Sequence, residues 1–149
     1  MQETVKDVMS RNIIAVLPGD TAQEAARLMQ ENNIGAVPVV SGGELKGILT
    51  DRDIVLRCVA SGRNPDSVKA SEMMTTNVAY VTPDQTVHDA VQMMAGEQVR
   101  RLPVVRDGYI DGMVSMADIA RRHAGPEIAE ALSEISTSHE GPCHAVRTR

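Results

Sequence analysis

Gly47–Asp53 reads GILTDRD, and Gly112–Asp118 reads GMVSMAD. Each phrase is a glycine, two apolar residues, a hydroxyl residue, two variable positions and an aspartate, and the second starts 65 residues after the first. The same offset holds outward from both. Pro18 matches Pro83, Thr21 matches Thr86, Pro38 matches Pro103, and VPVV at Val37–Val40 returns as LPVV at Leu102–Val105. Val5–Ala60 aligns with Ala70–Gly125 without a gap, so the chain is a tandem duplication.

Both copies share one grammar. An opening segment ends at methionine, VKDVMS in the first copy and ASEMMT in the second, and a β-like stretch follows, NIIAV or NVAYV, closed by Pro18 or Pro83. A helix comes next, opened by Thr21 with Glu24 or Thr86 with Asp89, the spacing of a capping box. Its apolar positions Ala25, Leu28 and Met29, or Ala90, Met93 and Met94, fall on one face. GAVPVV-SGGE-LKGILT and RRLPVV-RDGY-IDGMVS then read as β-hairpins, each running into a further helix that starts at the hydroxyl residue.

The fold expected is therefore α/β, two tandem β-α-β-β-α repeats packed face to face about a pseudo-two-fold axis and sharing one core. Residues 1–60 make the first repeat, 61–69 the connector (SGRNPDSVK, rich in turn formers), and 70–125 the second repeat. A repeat of ~60 residues is marginal alone, whereas one packed unit of this total length buries about 68–70 % of its unfolded surface. Residues 126–137 read as a short helix with Pro126 at its start and Ile128, Leu132 and Ile135 on one stripe, and 138–149 as a disordered tail.

Composition narrows the function classes. Of 149 residues, 42 % are hydrophobic and 23 % charged, as in ordinary soluble globular proteins. Phe and Trp are absent and Tyr80 and Tyr109 are the only tyrosines, so nine methionines and the aliphatics must fill the core. A net charge of −5 argues against a broad nucleic-acid footprint, even with Arg100, Arg101, Arg106, Arg121 and Arg122 present. Cys58 and Cys143 make neither a zinc spacing nor a disulfide framework, and Cys58 lies in an apolar helical stretch as a core thiol would. His139, Cys143 and His144 cluster in the tail, two of them adjacent, and are not read as metal ligands. No nucleophile–base pair, phosphate loop or hydrolase motif is found, so no catalytic residue is assigned. MQETVKDVMSRN lacks an apolar signal core, no apolar run reaches a membrane span, and a reducing cytoplasm is the expected location.

The repeated phrase has two readings. Thr50 with Asp53, and Ser115 with Asp118, have the spacing at which a hydroxyl and a carboxylate cap a helix reciprocally, and that requires no ligand. A carboxylate at a strand end beside a helix N-terminus can also accept both hydrogen bonds of a vicinal diol, as acidic residues do for ribose in other nucleotide folds. Spacing alone does not choose between them.

With its in-register VPVV and LPVV strands, the duplicated phrase resembles a tandem pair of cystathionine β-synthase (CBS) domains, a Bateman module. The resemblance covers about Thr4 to His123, and the layout is similar to stand-alone bacterial CBS-pair proteins. It implies an adenosyl ligand held in clefts between repeats: AMP, ADP, ATP, S-adenosylmethionine or NAD(H), as effector rather than required cofactor, with occupancy regulating a partner protein whose identity is unknown. On the positions that match, Asp53 and Asp118 would hold ribose hydroxyls beside Thr50 and Ser115. Ile13 and Val37, and Val78 and Leu102, would sandwich the adenine, although each is equally at home in an ordinary core. In a kinase regulatory subunit that shares this fold, basic residues just before the hairpin proline grip phosphate for the ligand whose ribose is held by the other repeat. Arg100 and Arg101 then serve the Asp53 site, and Gly35 and Ala36 leave the Asp118 site without such a grip. Unequal sites are expected, with phosphorylated nucleotide at Asp53.

Such proteins commonly dimerise, so a homodimer is expected. The competing reading is a constitutive protein-interaction or scaffold dimer with vestigial clefts. RNA or DNA binding ranks below both.

Overall fold

In chain order the computed structural model, which describes residues 3–122 with Glu130, Ala131 and Ile135, has α1 (Val5–Val8), α2 (Ala22–Asn32), β1 (Ala36–Ser41), β2 (Glu44–Thr50), α3 (Asp51–Ile54), a π-helical turn (Val55–Val59), α4 (Ala70–Met73), α5 (Val87–Glu97), β3 (Arg101–Arg106), β4 (Tyr109–Ser115) and α6 (Met116–Arg122). The mixed α/β class expected from the duplication is what the chain adopts.

Local chemistry explains most element ends. The Thr21 hydroxyl accepts from the Glu24 amide at 3.2 Å while Glu24 accepts from the Thr21 amide at 2.9 Å, a complete capping box for α2. Thr86 and Asp89 do the same for α5. Both helices stop at a residue in the left-handed region, Asn33 and Gln98. Gly42 and Gly43, at φ of 60° and 84°, close the β1–β2 hairpin, and Asp107 and Gly108, at 52° and 86°, close the β3–β4 hairpin; two successive left-handed residues make the turn whose twist suits a two-residue hairpin loop.

Two expected features differ. The stretches NIIAV and NVAYV are not full strands. Each contributes one parallel bridge, Val16 with Val39 and Val81 with Val104. A turn intervenes at once: Asp20 accepts from the Leu17 amide and Gln85 from the Thr82 amide, so the backbone curls away at the proline. The helix beginning at Asp51 also widens, with the Ala60 amide donating to the Val55 carbonyl five residues back.

The chain divides into two compact units whose membership does not follow sequence order. Among the described residues, one unit holds Ile13–Val78 with Asp107–Ile110, the other 3–12, Ala79–Arg106 and 111–122 with Glu130, Ala131 and Ile135. The opening segments are exchanged. Residues 4–10 pack into the second-hairpin unit: the Thr4–Thr86 bridge, Val5 amide to Gln85 carbonyl at 2.8 Å, and Ser10 paired with Met113 of β4. Residues 70–75, the second copy's opening, pack with the first hairpin through the Ile48–Thr75 bridge. The connector also folds onto the first-hairpin unit, where the Val68 carbonyl accepts from the Ala22 amide at 2.8 Å.

Each unit has its own core, in place of the single shared core expected. In the first-hairpin unit Val37, Val39, Leu49, Cys58, Ala70 and Met73 are fully buried among Ala22, Ala25 and Met29. In the other, Val5, Val81, Ala90, Met94, Leu102, Val104, Val114 and Ile119 are, with Ala131 and Ile135 joining them. The exchange supplies the reason: each short repeat completes its interior with apolar residues from the other copy's opening, Val5 and Val8 in one case and Ala70 and Met73 in the other. Ile135 of the C-terminal stripe is helical and buried; Ile128, Leu132, His139, Cys143, His144 and the tail lie outside the described residues.

Candidate ligand-binding site

The glycine that opens each repeated phrase is explained by close approach of the exchanged segment. A Cβ at Gly47 would lie 2.8 Å from the Thr75 carbonyl oxygen and from Met74 Sδ, and one at Gly112 would lie 2.5 Å from the Ser10 carbonyl oxygen. Only a bare Cα lets Ile48 and Thr75 exchange both backbone hydrogen bonds at 2.9 Å, and Ser10 and Met113 theirs at 2.8 and 2.9 Å. The two apolar residues carry the strand, alternately half-buried and buried, to the hydroxyl residue, where the helix starts.

There the copies part. The Thr50 hydroxyl accepts from the Asp53 amide at 3.1 Å, and Asp53 Oδ2 accepts from the Thr50 amide at 3.0 Å, a reciprocal box at a half-buried position. Asp53 makes no ion pair among the described residues. The Ser115 hydroxyl likewise accepts from the Asp118 amide at 3.1 Å, but the Asp118 carboxylate returns no bond to the Ser115 amide. Its Oδ1 instead takes a hydrogen bond from the Arg121 guanidinium.

In each unit a backbone bond ties the residue three before the hairpin proline to the helix start: the Asp51 amide donates to the Gly35 carbonyl at 2.9 Å, and the Met116 amide to the Arg100 carbonyl at 2.8 Å. Thus Gly35 and Ala36 lie beside the Thr50–Asp53 cap, and Arg100 and Arg101 beside the Ser115–Asp118 cap. Arg100 and Arg101 are exposed, and neither guanidinium makes a hydrogen bond or ion pair among the described residues. Arg63, Arg106, Arg121 and Arg122 are each paired with a carboxylate. Val37 and Leu102 are buried in the cores of their respective units, while Ile13 and Val78 are half-buried where the chain passes from one unit to the other.

The CBS domain model matches residues 5–59 and again 70–125. The chain belongs to the CBS domain family. The CBS domain-containing protein YhcV of Bacillus subtilis is 45 % identical over 134 residues, 89 % of this chain and 95 % of that one. Hypoxic response protein 1 of Mycobacterium tuberculosis is 35 % identical, over 87 % of this chain and 93 % of its own. A crystal structure of hypoxic response protein I with two coordinated zinc ions superposes with a TM-score of 0.74, covering 81 % of this chain and 99 % of that one. The CBS domain pair of protein MJ0100, crystallised with 5′-methylthioadenosine and S-adenosyl-L-methionine, is 30 % identical with a TM-score of 0.70, covering 82 % and 96 %.

Among the described residues of this CBS pair, no three His, Cys, Asp or Glu side chains group as metal ligands, and no helix is long and apolar enough to cross a membrane. An open cavity of about 500 Å³ lies on another face of the first-hairpin unit, between α2 and α3, bordered by Met29, Asn33, Gly35, Asp51, Ile54 and Val55. Asp53 is not part of it, because residues two apart on a helix point roughly 200° from each other. The sequence reading takes Arg121 only as one of several basic residues and does not pair it with Asp118, although the i,i+3 spacing is a usable signal.

Proposed function

We propose that this CBS pair is a non-enzymatic regulatory module that binds an adenosyl ligand and modulates a partner protein. The observation that carries the reading is the Thr50–Asp53 box, in which a half-buried carboxylate is oriented by a backbone amide and has no cation partner among the described residues. That is the group a ribose diol needs. Arg100 and Arg101 support it, being exposed guanidiniums with no partner among the described residues and suited to bidentate phosphate contact. The ligand complex of the MJ0100 pair adds support from a relative. In this reading Asp53 with Thr50 holds the ribose of AMP, ADP or ATP, Ile13 flanks the base, and Arg100 and Arg101 bind phosphate. Asp118 with Ser115 forms a second, weaker site suited to an uncharged adenosyl group.

The module acts in the cytoplasm as a homodimer. Val55, which borders the α2–α3 cavity, together with Leu56 and Val59, all about half exposed or more, gives the second copy apolar surface to cover. Ligand binding regulates only if it favours one of two shapes of the module over the other.

Calorimetric titration of the full chain with AMP, ATP, S-adenosylmethionine and NADH tests this. AMP or ATP is expected to bind with affinity lost in Asp53→Ala and reduced at least about tenfold in Arg101→Ala. No heat from any of the four compounds, in a folded and ligand-free preparation, would replace this reading with the scaffold dimer.

A further inference from the structure

The two aspartates of the repeated phrase differ in what holds them. A neutral amide orients Asp53 back over its own helix cap, and no cation among the described residues pairs with it. Asp118 is drawn the other way, along α6, by the Arg121 guanidinium, and gives up the reciprocal half of its cap. The residue matching Arg121 in the first copy is Leu56, 48 % exposed and unable to compete for a carboxylate.

We infer that Arg121 is a built-in competitor for the Asp118 carboxylate and sets the affinity of the second site for a ribose diol. This rests on the adenosyl-ligand reading above and explains why one of its two sites is the weaker. A vicinal diol donates two hydrogen bonds and needs a carboxylate with free acceptor lone pairs turned toward it and no cation competing for them. Asp118 meets that demand only by releasing a charge-assisted partner. The Asp118 side chain is 23 % exposed and that of Arg121 70 %, so the latch lies at the surface. It is therefore worth a modest factor and is weakened by salt.

The test uses adenosine, which has no phosphate to be attracted by Arg121, on the full chain carrying Asp53→Ala so that the first site is silent. Adding Arg121→Leu, the first copy's residue, is expected to tighten adenosine binding about fivefold, and a further Asp118→Ala change should abolish the gain. Arg121→Lys keeps the cation and should stay near the parent. Raising the salt concentration should tighten adenosine binding where Arg121 is present and leave Arg121→Leu unmoved. Arg121→Gln provides the same readout if the leucine variant does not fold. Unchanged or weaker adenosine binding in the neutral variants would overturn the inference and make Arg121 a bystander or a ligand contact. If neither AMP nor adenosine binds the unaltered chain, the adenosyl-ligand reading fails and this inference falls with it; AMP binding at Asp53 with no effect of Arg121 overturns the inference alone.

Discussion

The Thr50–Asp53 and Ser115–Asp118 caps grew from the same seven-residue phrase, yet only the first is a complete box. The difference lies outside the phrase. Leu56 follows three residues after Asp53, and Arg121 three after Asp118. A helix places i and i+3 side by side, so one substitution a turn away changes whether the aspartate carries a free charge or a neutralised one. The flanks diverge as well, Gly35 and Ala36 against Arg100 and Arg101, while the glycine, the hydroxyl and the aspartate stay the same. Duplication kept what builds the strand-to-helix junction and varied what a ligand would meet there.

If the shared glycines serve the exchanged segments, replacing them gives the largest effects. Gly112→Ala drives a Cβ onto the Ser10 carbonyl oxygen, a backbone atom that cannot rotate away, and is expected to cost about 3 kcal/mol. Gly47→Ala meets the Thr75 carbonyl and the flexible Met74 side chain, and should cost somewhat less, about 2 kcal/mol. Denaturant unfolding of both variants reads the difference. Stability equal to the parent in either would mean that the opening segment does not pair with that hairpin as described.

A smaller effect separates the caps themselves. Asp53→Ala removes a carboxylate that accepts from the Thr50 amide and should destabilise the chain by about 1 kcal/mol. Asp118→Ala removes only a surface pair with Arg121 and should cost no more than about 0.5 kcal/mol. Equal losses would show that Asp118 completes its box in solution and that Arg121 is not holding it away.

Much of this was legible in residue order, and what was missed has a common cause. Thr21 with Glu24, Thr86 with Asp89, and the Gly42–Gly43 and Asp107–Gly108 turns announce themselves because a cap or a tight turn is settled within four residues. The partner of an opening segment is not settled locally. VKDVMS and ASEMMT each precede their own repeat in the sequence, and only the bare Cα atoms of Gly112 and Gly47 mark where they dock. The two cores follow from that exchange. Candidate site residues were readable by type, but whether a carboxylate is open or latched depends on side-chain direction, as Asp53 and Asp118 show.

The exchanged segments offer the finest comparison, since Asp7 in α1 and Glu72 in α4 occupy matching positions. Both carboxyls are held below their ordinary values, 3.8 and 4.5: Asp7 by the Thr4 amide and then its hydroxyl, Glu72 by the Arg63 guanidinium and then the Lys69 amide. Each loses its proton at lower pH in the folded chain than in the unfolded one, so the unfolded state binds more protons in that window and stability rises with pH through it. The contribution is complete above the unfolded values and is lost as pH falls through the lowered folded ones. Thermal melts between about pH 3 and 6 should therefore show a shallower acid slope in Asp7→Asn and in Glu72→Gln than in the parent. Salt should separate them, because the Arg63–Glu72 pair at 2.7 Å is an exposed ion pair and the Thr4 cap rests chiefly on hydrogen bonds. Added salt is expected to shrink the difference between Glu72→Gln and the parent and to leave that of Asp7→Asn nearly constant. The same salt response in both would mean that α4, like α1, is held by its cap and not by the connector's arginine.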